Sequence, residues 1–184
     1  IDYTDGGCPV LLTEPQSTNL ITNSNDFNVW TKVALSEVTD NSTVSPDGTQ
    51  NASILVDDTS NAIHRMQITS TTSASGDVTF SVFLKKGTLT TAYIQMYTNG
   101  TAAPNTVDLE NGTISGNGTI EDYGNDWYKC SITAPNTGST AVAYVYLKQS
   151  TAYVGGSGSI YVWGAQLEEL SYATSLIPTY GAVR

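Results

Sequence analysis

The 184-residue chain is predicted to be all-β, an antiparallel two-sheet β-sandwich of jelly-roll type. Three observations predict it. Thr, Ser and Asn together supply 59 residues, or 32%, and Gly another 16; Thr favours strands, while Asn, Ser and Gly favour turns. Several stretches alternate apolar and polar residues with a period of two, the mark of a strand with one buried face. No window of ten or more residues keeps a helical period, so the crossover helices that a parallel sheet needs are missing. Ten or so short strands punctuated by Gly, Asn and Pro then read as a sandwich or barrel, and the length suits one domain.

The elements follow in order. A tight turn is expected at Asp5-Gly6-Gly7, where two glycines tolerate positive φ, then a short apolar strand at 9–12. Asn19-Leu20-Ile21 is the next apolar segment, and 26–33 carries Phe27, Val29 and Trp30. Ser45-Pro46-Asp47-Gly48 reads as a turn with Pro at its second position. Short strands are predicted at 52–56 and 63–69. The clearest strand is 78–85, with Val78, Phe80, Val82 and Leu84 facing inward and Thr79, Ser81, Phe83 and Lys85 outward. Residues 91–98 repeat the pattern: Ala92, Ile94 and Met96 alternate with Tyr93, Gln95 and Tyr97. Strands at 107–109 and 118–121 flank a glycine-rich turn region, and 127–133 places Tyr128, Cys130 and Ile132 on its core side. In 141–148, Ala141, Ala143, Val145 and Leu147 form a plain core face opposite Val142, Tyr144, Tyr146 and Lys148. The last long strand, 160–167, is read with Tyr161, Trp163, Ala165 and Leu167 on one side. Segments 1–10 and 171–184 are read as junctions to other domains.

Charge narrows the functions. Seven Lys and Arg against 17 Asp and Glu give a net charge of −10. A nucleic-acid partner needs a basic stripe that seven cations do not supply, and anionic membrane surfaces are disfavoured for the same reason. No run approaches 18 apolar residues, so membrane insertion is not expected, and no basic segment precedes an apolar one as a signal peptide requires. One His and two Cys leave little for zinc or nucleophilic chemistry. His64, with Met66 and Ile68 on its face, reads as structural. The acidic doublets Asp57-Asp58, Glu121-Asp122 and Glu168-Glu169 are not catalytic pairs, because adjacent strand residues point to opposite faces. The chain is therefore expected to be no enzyme. Cys8 and Cys130 either pair or stay reduced. Asn41, Asn51, Asn111 and Asn117 each begin a glycosylation sequon, as an Asn- and Thr-rich chain produces by chance.

The residues that carry a functional signal are aromatic. Tyr93, Gln95 and Tyr97 on one strand and Tyr144, Tyr146 and Lys148 on another mix flat rings with hydrogen-bonding groups. A sugar stacks its C–H face on a ring and needs fixed partners for its hydroxyls. The same tyrosines also suit packing under a loop. Trp127 is a further candidate platform, facing out or covering an edge, whereas Trp163 reads as core and Trp30 is undecided. A structural calcium ion is the one cofactor the acids suggest, with Glu14, Asp26 and Glu168 nearest the strand ends.

The segments at 11–24 (LLTEPQSTNLITNS), 45–53 (SPDGTQNAS), 126–135 (DWYKCSITAP) and 157–179 (SGSIYVWGAQLEELSYATSLIPT) resemble, over about residues 8–180, an accessory β-sandwich module. Such modules occur in bacteriophage tail-fibre and virion proteins and in secreted proteins of environmental bacteria, and they resemble jelly-roll carbohydrate-binding modules. The resemblance implies a non-catalytic domain, extracellular or on a virion, that attaches a larger protein to a polysaccharide or cell-surface glycan. The alternative it implies is a structural or oligomerisation module of a tail fibre, which would form homo-oligomers and bury those tyrosines against neighbouring domains or subunits. In the carbohydrate-binding relatives a calcium often staples the sandwich away from the sugar site.

Overall fold

A computed structural model of the protein describes residues 14–73, 75–98 and 104–184. The turn expected at Asp5-Gly6-Gly7, the strand at 9–12 and the pairing of Cys8 lie outside the described residues. Two six-stranded antiparallel sheets face each other in a jelly-roll sandwich. In spatial order the first holds β1 (Thr31–Val33), β5 (Arg65–Thr71), β12 (Thr140–Leu147), β7 (Thr91–Tyr97), β8 (Asn105–Asp108) and β9 (Thr113–Ile114). The second holds β10 (Thr119–Asp122), β11 (Trp127–Pro135), β6 (Asp77–Lys86), β14 (Ser159–Glu168), β3 (Ala52–Asp57) and β2 (Leu35–Thr43). A small pair, β4 (Asn61–Ala62) and β13 (Tyr153–Val154), sits outside both. A single 3-10 turn at Phe27–Val29 is the only helical element among the described residues.

The core is built as the alternation requires. Met66, Ile94, Met96, Val145 and Leu147 of the first sheet meet Leu55, Phe80, Val82, Leu84, Ile132 and Ile160 of the second, all buried. The free thiol of Cys130 lies among them, and burial pushes its pKa up.

Two departures from strict alternation shape the outer faces. Strand β14 slips register against β6 between Trp163 and Gln166. Gly164, at φ +62°, supplies the left-handed residue of a bulge; a Cβ there would meet the Phe83 ring at 2.9 Å. The bulge is pinned by Gly164 N–H donating to Asn25 Oδ1 at 2.9 Å and Ala165 N–H donating to Ser24 O at 2.9 Å. Its effect is a phase change. Ala165 and Leu167 turn into the core as read from the sequence, but Trp163 lies on the opposite side of the strand, packed with Phe83, Trp127 and Ala52 in a second apolar cluster.

That cluster is covered by the chain's own end. Leu176 packs on it, and Lys129, buried, donates from Nζ to Thr174 O at 2.6 Å. Strand β6 is consequently buried on both faces, not half-buried as its alternation predicts. Residues 171–184 dock along the second sheet and the 19–24 segment. Gly181 N–H donates to Thr22 O, Thr179 Oγ1 donates to Ile21 O, and Asn23 bridges Tyr180.

Candidate functional site

The outward positions of the first sheet gather the tyrosines of both strands singled out in the sequence. Pairing of β12 with β7 sets Tyr146 opposite Tyr93, Tyr144 opposite Gln95, and Val142 opposite Tyr97. Pairing of β12 with β5 adds Arg65 beside Tyr146 and Gln67 beside Tyr144. The outward side of β6, Thr79 to Lys85, belongs to the other sheet, because β6 pairs with β11 and β14, and it lies partly beneath residues 170–176. Arg65 and Gln67 were not singled out in the sequence. Their signal was parity, since His64, Met66 and Ile68 occupy the other phase of the same strand.

The members of this face play different parts. Tyr97 is 45% exposed, and Tyr93, Gln95 and Tyr144 are half-buried. Tyr146, expected to stack on a ligand, is only 4% exposed. Its hydroxyl donates to Gln95 Oε1 at 2.6 Å and accepts from Arg65 Nη1 at 3.4 Å. Burial raises its pKa, and the Arg65 hydrogen bond and charge oppose that rise. Tyr144 stacks on Tyr146, with centroids 5.8 Å apart and planes at 24°. The Arg65 guanidinium lies over both rings, 5.0 Å from the first centroid and 5.8 Å from the second, within cation–π range. Tyr146 is therefore the floor of the face, Tyr97 is its exposed ring, and Tyr93 and Tyr144 are half-exposed.

Three other sequence candidates sit elsewhere. Trp127 is 1% exposed, under the tail, and donates from Nε1 to Val44 O at 3.0 Å, so no ligand can stack on it. Lys148 follows the last residue of β12 in a left-handed conformation, φ +59°, which breaks the alternation that put it beside Tyr146. Its Nζ stands 4.9 Å from the Tyr153 ring centroid, beside a cavity of about 260 Å³ lined by Asp57, Leu89 and the 153–158 loop. Trp30 is buried against Phe27, ring centroids 5.4 Å apart.

Glu14, Asp26 and Glu168 do not converge, and no group of three metal-ligating side chains occurs among the described residues. Glu168 is fully buried and accepts from Ser17 Oγ, Thr174 N–H and Thr174 Oγ1. Glu14 accepts from the backbone and hydroxyl of Ser175. Asp26 caps the 3-10 turn through Asn28 N–H. Two of these carboxylates hold the tail and the third caps a turn.

The acidic doublets are likewise split. Asp57 is buried, accepting from Tyr153 hydroxyl, Gly156 N–H and Gly158 N–H, while Asp58 caps Ser60 at the surface. Glu169 accepts from Ser73, away from the tail contacts of Glu168. His64 is buried with Nδ1 at 2.6 Å from Ala34 O and Nε2 at 3.0 Å from Tyr153 O, a tie between segments.

No family model matches this sequence, and no curated protein matches it. Among solved structures, the chain is similar to the enzymatically active domain of tailspike protein 4 of bacteriophage CBA120, with a TM-score of 0.50 and 13% identity over 81% of this chain and 21% of that one. It thus spans about a fifth of that chain's length. A CBM4 module gives a TM-score of 0.46 at 12% identity, over 80% of this chain and 84% of that one. The CBM35 module of Abf62 from Cellvibrio japonicus gives 0.42 at 10% identity, over 82% and 94%. At such identities the likeness is one of fold.

Proposed function

We propose that this chain is a non-catalytic carbohydrate-binding module, and that the outer face of its first sheet is the binding surface. The observation that supports the reading best is the set of accessible rings on that face, Tyr97 and Tyr144, standing beside amide and guanidinium groups of Gln67, Gln95 and Arg65. Sugar rings offer C–H faces to the tyrosines and hydroxyls to the amides. The hydrogen bonds of the Tyr146 hydroxyl with Gln95 and Arg65 hold these groups before any ligand arrives, which lowers the ordering cost of binding. Such a face suits attachment of a larger protein to a polysaccharide outside the cell or on a virion. Binding per site is expected to be weak, with affinity gained when several copies engage one polymer.

The test is affinity electrophoresis of the isolated chain against neutral and acidic polysaccharides, followed by calorimetry on any that retards it. Tyr97→Ala and Tyr144→Ala should each weaken binding about tenfold, the worth of one aromatic contact, with the melting temperature within a few degrees of the parent. Failure to bind any polymer, or binding that survives both substitutions, rejects this face. Silence combined with a stable oligomer in light scattering would instead point to a structural module.

A further inference from the structure

We propose that the polymer taken by this face carries carboxylates, and that Arg65 is the group that reads them. The proposal rests on the reading of the face as a glycan site and names the class of glycan.

Arg65 stands out for what surrounds it. The chain holds 17 Asp and Glu, yet no carboxylate forms an ion pair with Arg65 among the described residues. Among the described residues its guanidinium meets the Tyr146 hydroxyl at 3.4 Å and the two ring faces. Its Nε is buried without a hydrogen-bond partner. A half-buried guanidinium with no counter-ion is an uncommon arrangement, since charges taken from water are normally paired, and unpaired buried donors call for an explanation. The buried Nε lies out of a ligand's reach, so what this face holds ready is the exposed remainder of the cation. The rings and the hydroxyl fix the plane of the guanidinium, and β5, β12 and β7 present no carboxylate on their outward positions, which run from Arg65 to Thr71, Thr140 to Tyr146 and Thr91 to Tyr97. Arg65 is thus the one charged side chain on the outward positions of these three strands, and the carboxylate on the neighbouring strand is Asp108, outward beside Thr91 on β8.

A guanidinium of fixed plane matches a carboxylate in geometry, donating two parallel hydrogen bonds to its oxygens where an ammonium would act as a point charge. In a hexuronate the carboxylate projects from the ring edge. A sugar lying across this face beside Tyr144 can therefore turn it toward the guanidinium, which lies over that tyrosine ring at 5.0 Å from its centroid. The wider negative charge of the chain opposes a polyanion, but that opposition is screened beyond a Debye length of about 10 Å at 0.1 M salt, whereas the local contact is not.

The experiment uses polygalacturonate, alginate and hyaluronate, each beside its carboxyl-reduced form, with neutral galactan and dextran sulfate as further arms. Calorimetry is run on the parent chain, Arg65→Met and Arg65→Lys. Met keeps the stem and its ring packing while removing the charge. At least one uronate polymer should bind about tenfold or more tightly than its carboxyl-reduced form, the scale of a charge-assisted hydrogen bond. Arg65→Met should abolish that preference, and Arg65→Lys should restore only part of it. Equal or better binding of the reduced or neutral polymers would overturn the proposal and leave glycan binding standing. Equal binding of dextran sulfate would overturn it in favour of a general anion site. Failure of every polymer, acidic and neutral, would overturn both readings. A drop in melting temperature of Arg65→Met, if any, is measured beside the binding, and the preference ratio within the folded variant decides the outcome.

Discussion

Replacing Asn19 by Ala should destabilise this protein more than most single substitutions. Asn19 is fully buried, and all four hydrogen-bonding positions of its amide are used. Nδ2 donates to Ala165 O at 3.2 Å and to Ile177 O at 2.9 Å. Oδ1 accepts from Ile21 N–H at 3.0 Å and Leu167 N–H at 3.1 Å. One side chain thereby joins the 19–24 segment, the last strand and the tail. Ala leaves two carbonyls and two N–H groups without partners, each costing about 1–3 kcal/mol if it stays buried and dry. Partial relaxation and water entry reduce the sum, so the expected loss is about 3–5 kcal/mol. For a chain of this length 1 kcal/mol moves the melting temperature by about 2–4 °C, giving a fall on the order of 10 °C. Thermal unfolding followed by far-ultraviolet circular dichroism measures it, with exposed Thr18→Ala as the control expected to stay within 2 °C or so. Asn19→Asp separates hydrogen bonding from lost packing. At neutral pH it aims a second oxygen at the two carbonyls and should be at least as damaging as Ala. On acidification the carboxyl gains a proton to donate and part of the loss should return. A fall of less than about 3 °C for Asn19→Ala, or an Asn19→Asp defect indifferent to pH, would refute the hydrogen-bond account.

Other substitutions test other parts of the fold. Gly155→Ala places a Cβ at 2.0 Å from Asp58 O and 2.9 Å from both Asp57 and His64, so it should cost about 1–3 kcal/mol or more, while Gly156→Ala, with open space around it, should be near neutral in the same melt. Burial raises the Asp47 pKa, but hydrogen bonds from the Ser45 and Thr49 hydroxyls, Thr49 N–H and the Asn51 amide outweigh it and bring it down to about 2. A pKa lowered on folding gives stability that is present above the unfolded value near 3.9 and is lost as pH falls toward 2. Because Asp47 is exposed, solvent screening limits that contribution to about 1 kcal/mol or less; acid denaturation of Asp47→Asn should be less steep between pH 4 and 2, and an unchanged acid limb would count against it. In a chain carrying Cys8→Ser, the buried Cys130 should react with a thiol reagent only after denaturant is added, and rapid native labelling would show the core to be open.

Strands β6, β7, β11 and β12 were legible in the sequence because each alternates over at least seven residues, and the core face of β12 was read correctly residue by residue. Strand β2 was missed. Its nine residues, LSEVTDNST, carry only two apolar side chains, Leu35 and Val38, because an edge strand has little core to meet. The phase of Trp163 was misread because one left-handed glycine shifts the pattern, although an isolated Gly inside an apolar strand is itself a bulge signal. Lys148 was misplaced for a similar reason, a positive φ at a non-glycine residue that no local rule announces. The roles of Glu14 and Glu168 could not be read at all. Their anchoring partners at the tail come from the folded approach of residues up to 161 positions apart.

The two outer faces explain why only one of them is a candidate site. On the second sheet the outward rings Phe83, Trp127 and Trp163 pack with one another, with Tyr161 and with Leu176. Phe offers water no polar group and Trp only one N–H, so covering these rings gains apolar burial while leaving one group, Trp163 Nε1, without a hydrogen-bond partner. On the first sheet the outward rings are tyrosines, cross-linked through Gln95 and Arg65. Each hydroxyl must keep a hydrogen-bond partner, and burying the set under a loop would require that loop to replace water at every one. The sequence pattern treats both faces alike, as aromatics alternating with core residues. The difference lies in the number of hydroxyls and in one guanidinium without a carboxylate partner among the described residues, and these are the groups that the proposed exchange of water for a polysaccharide would use.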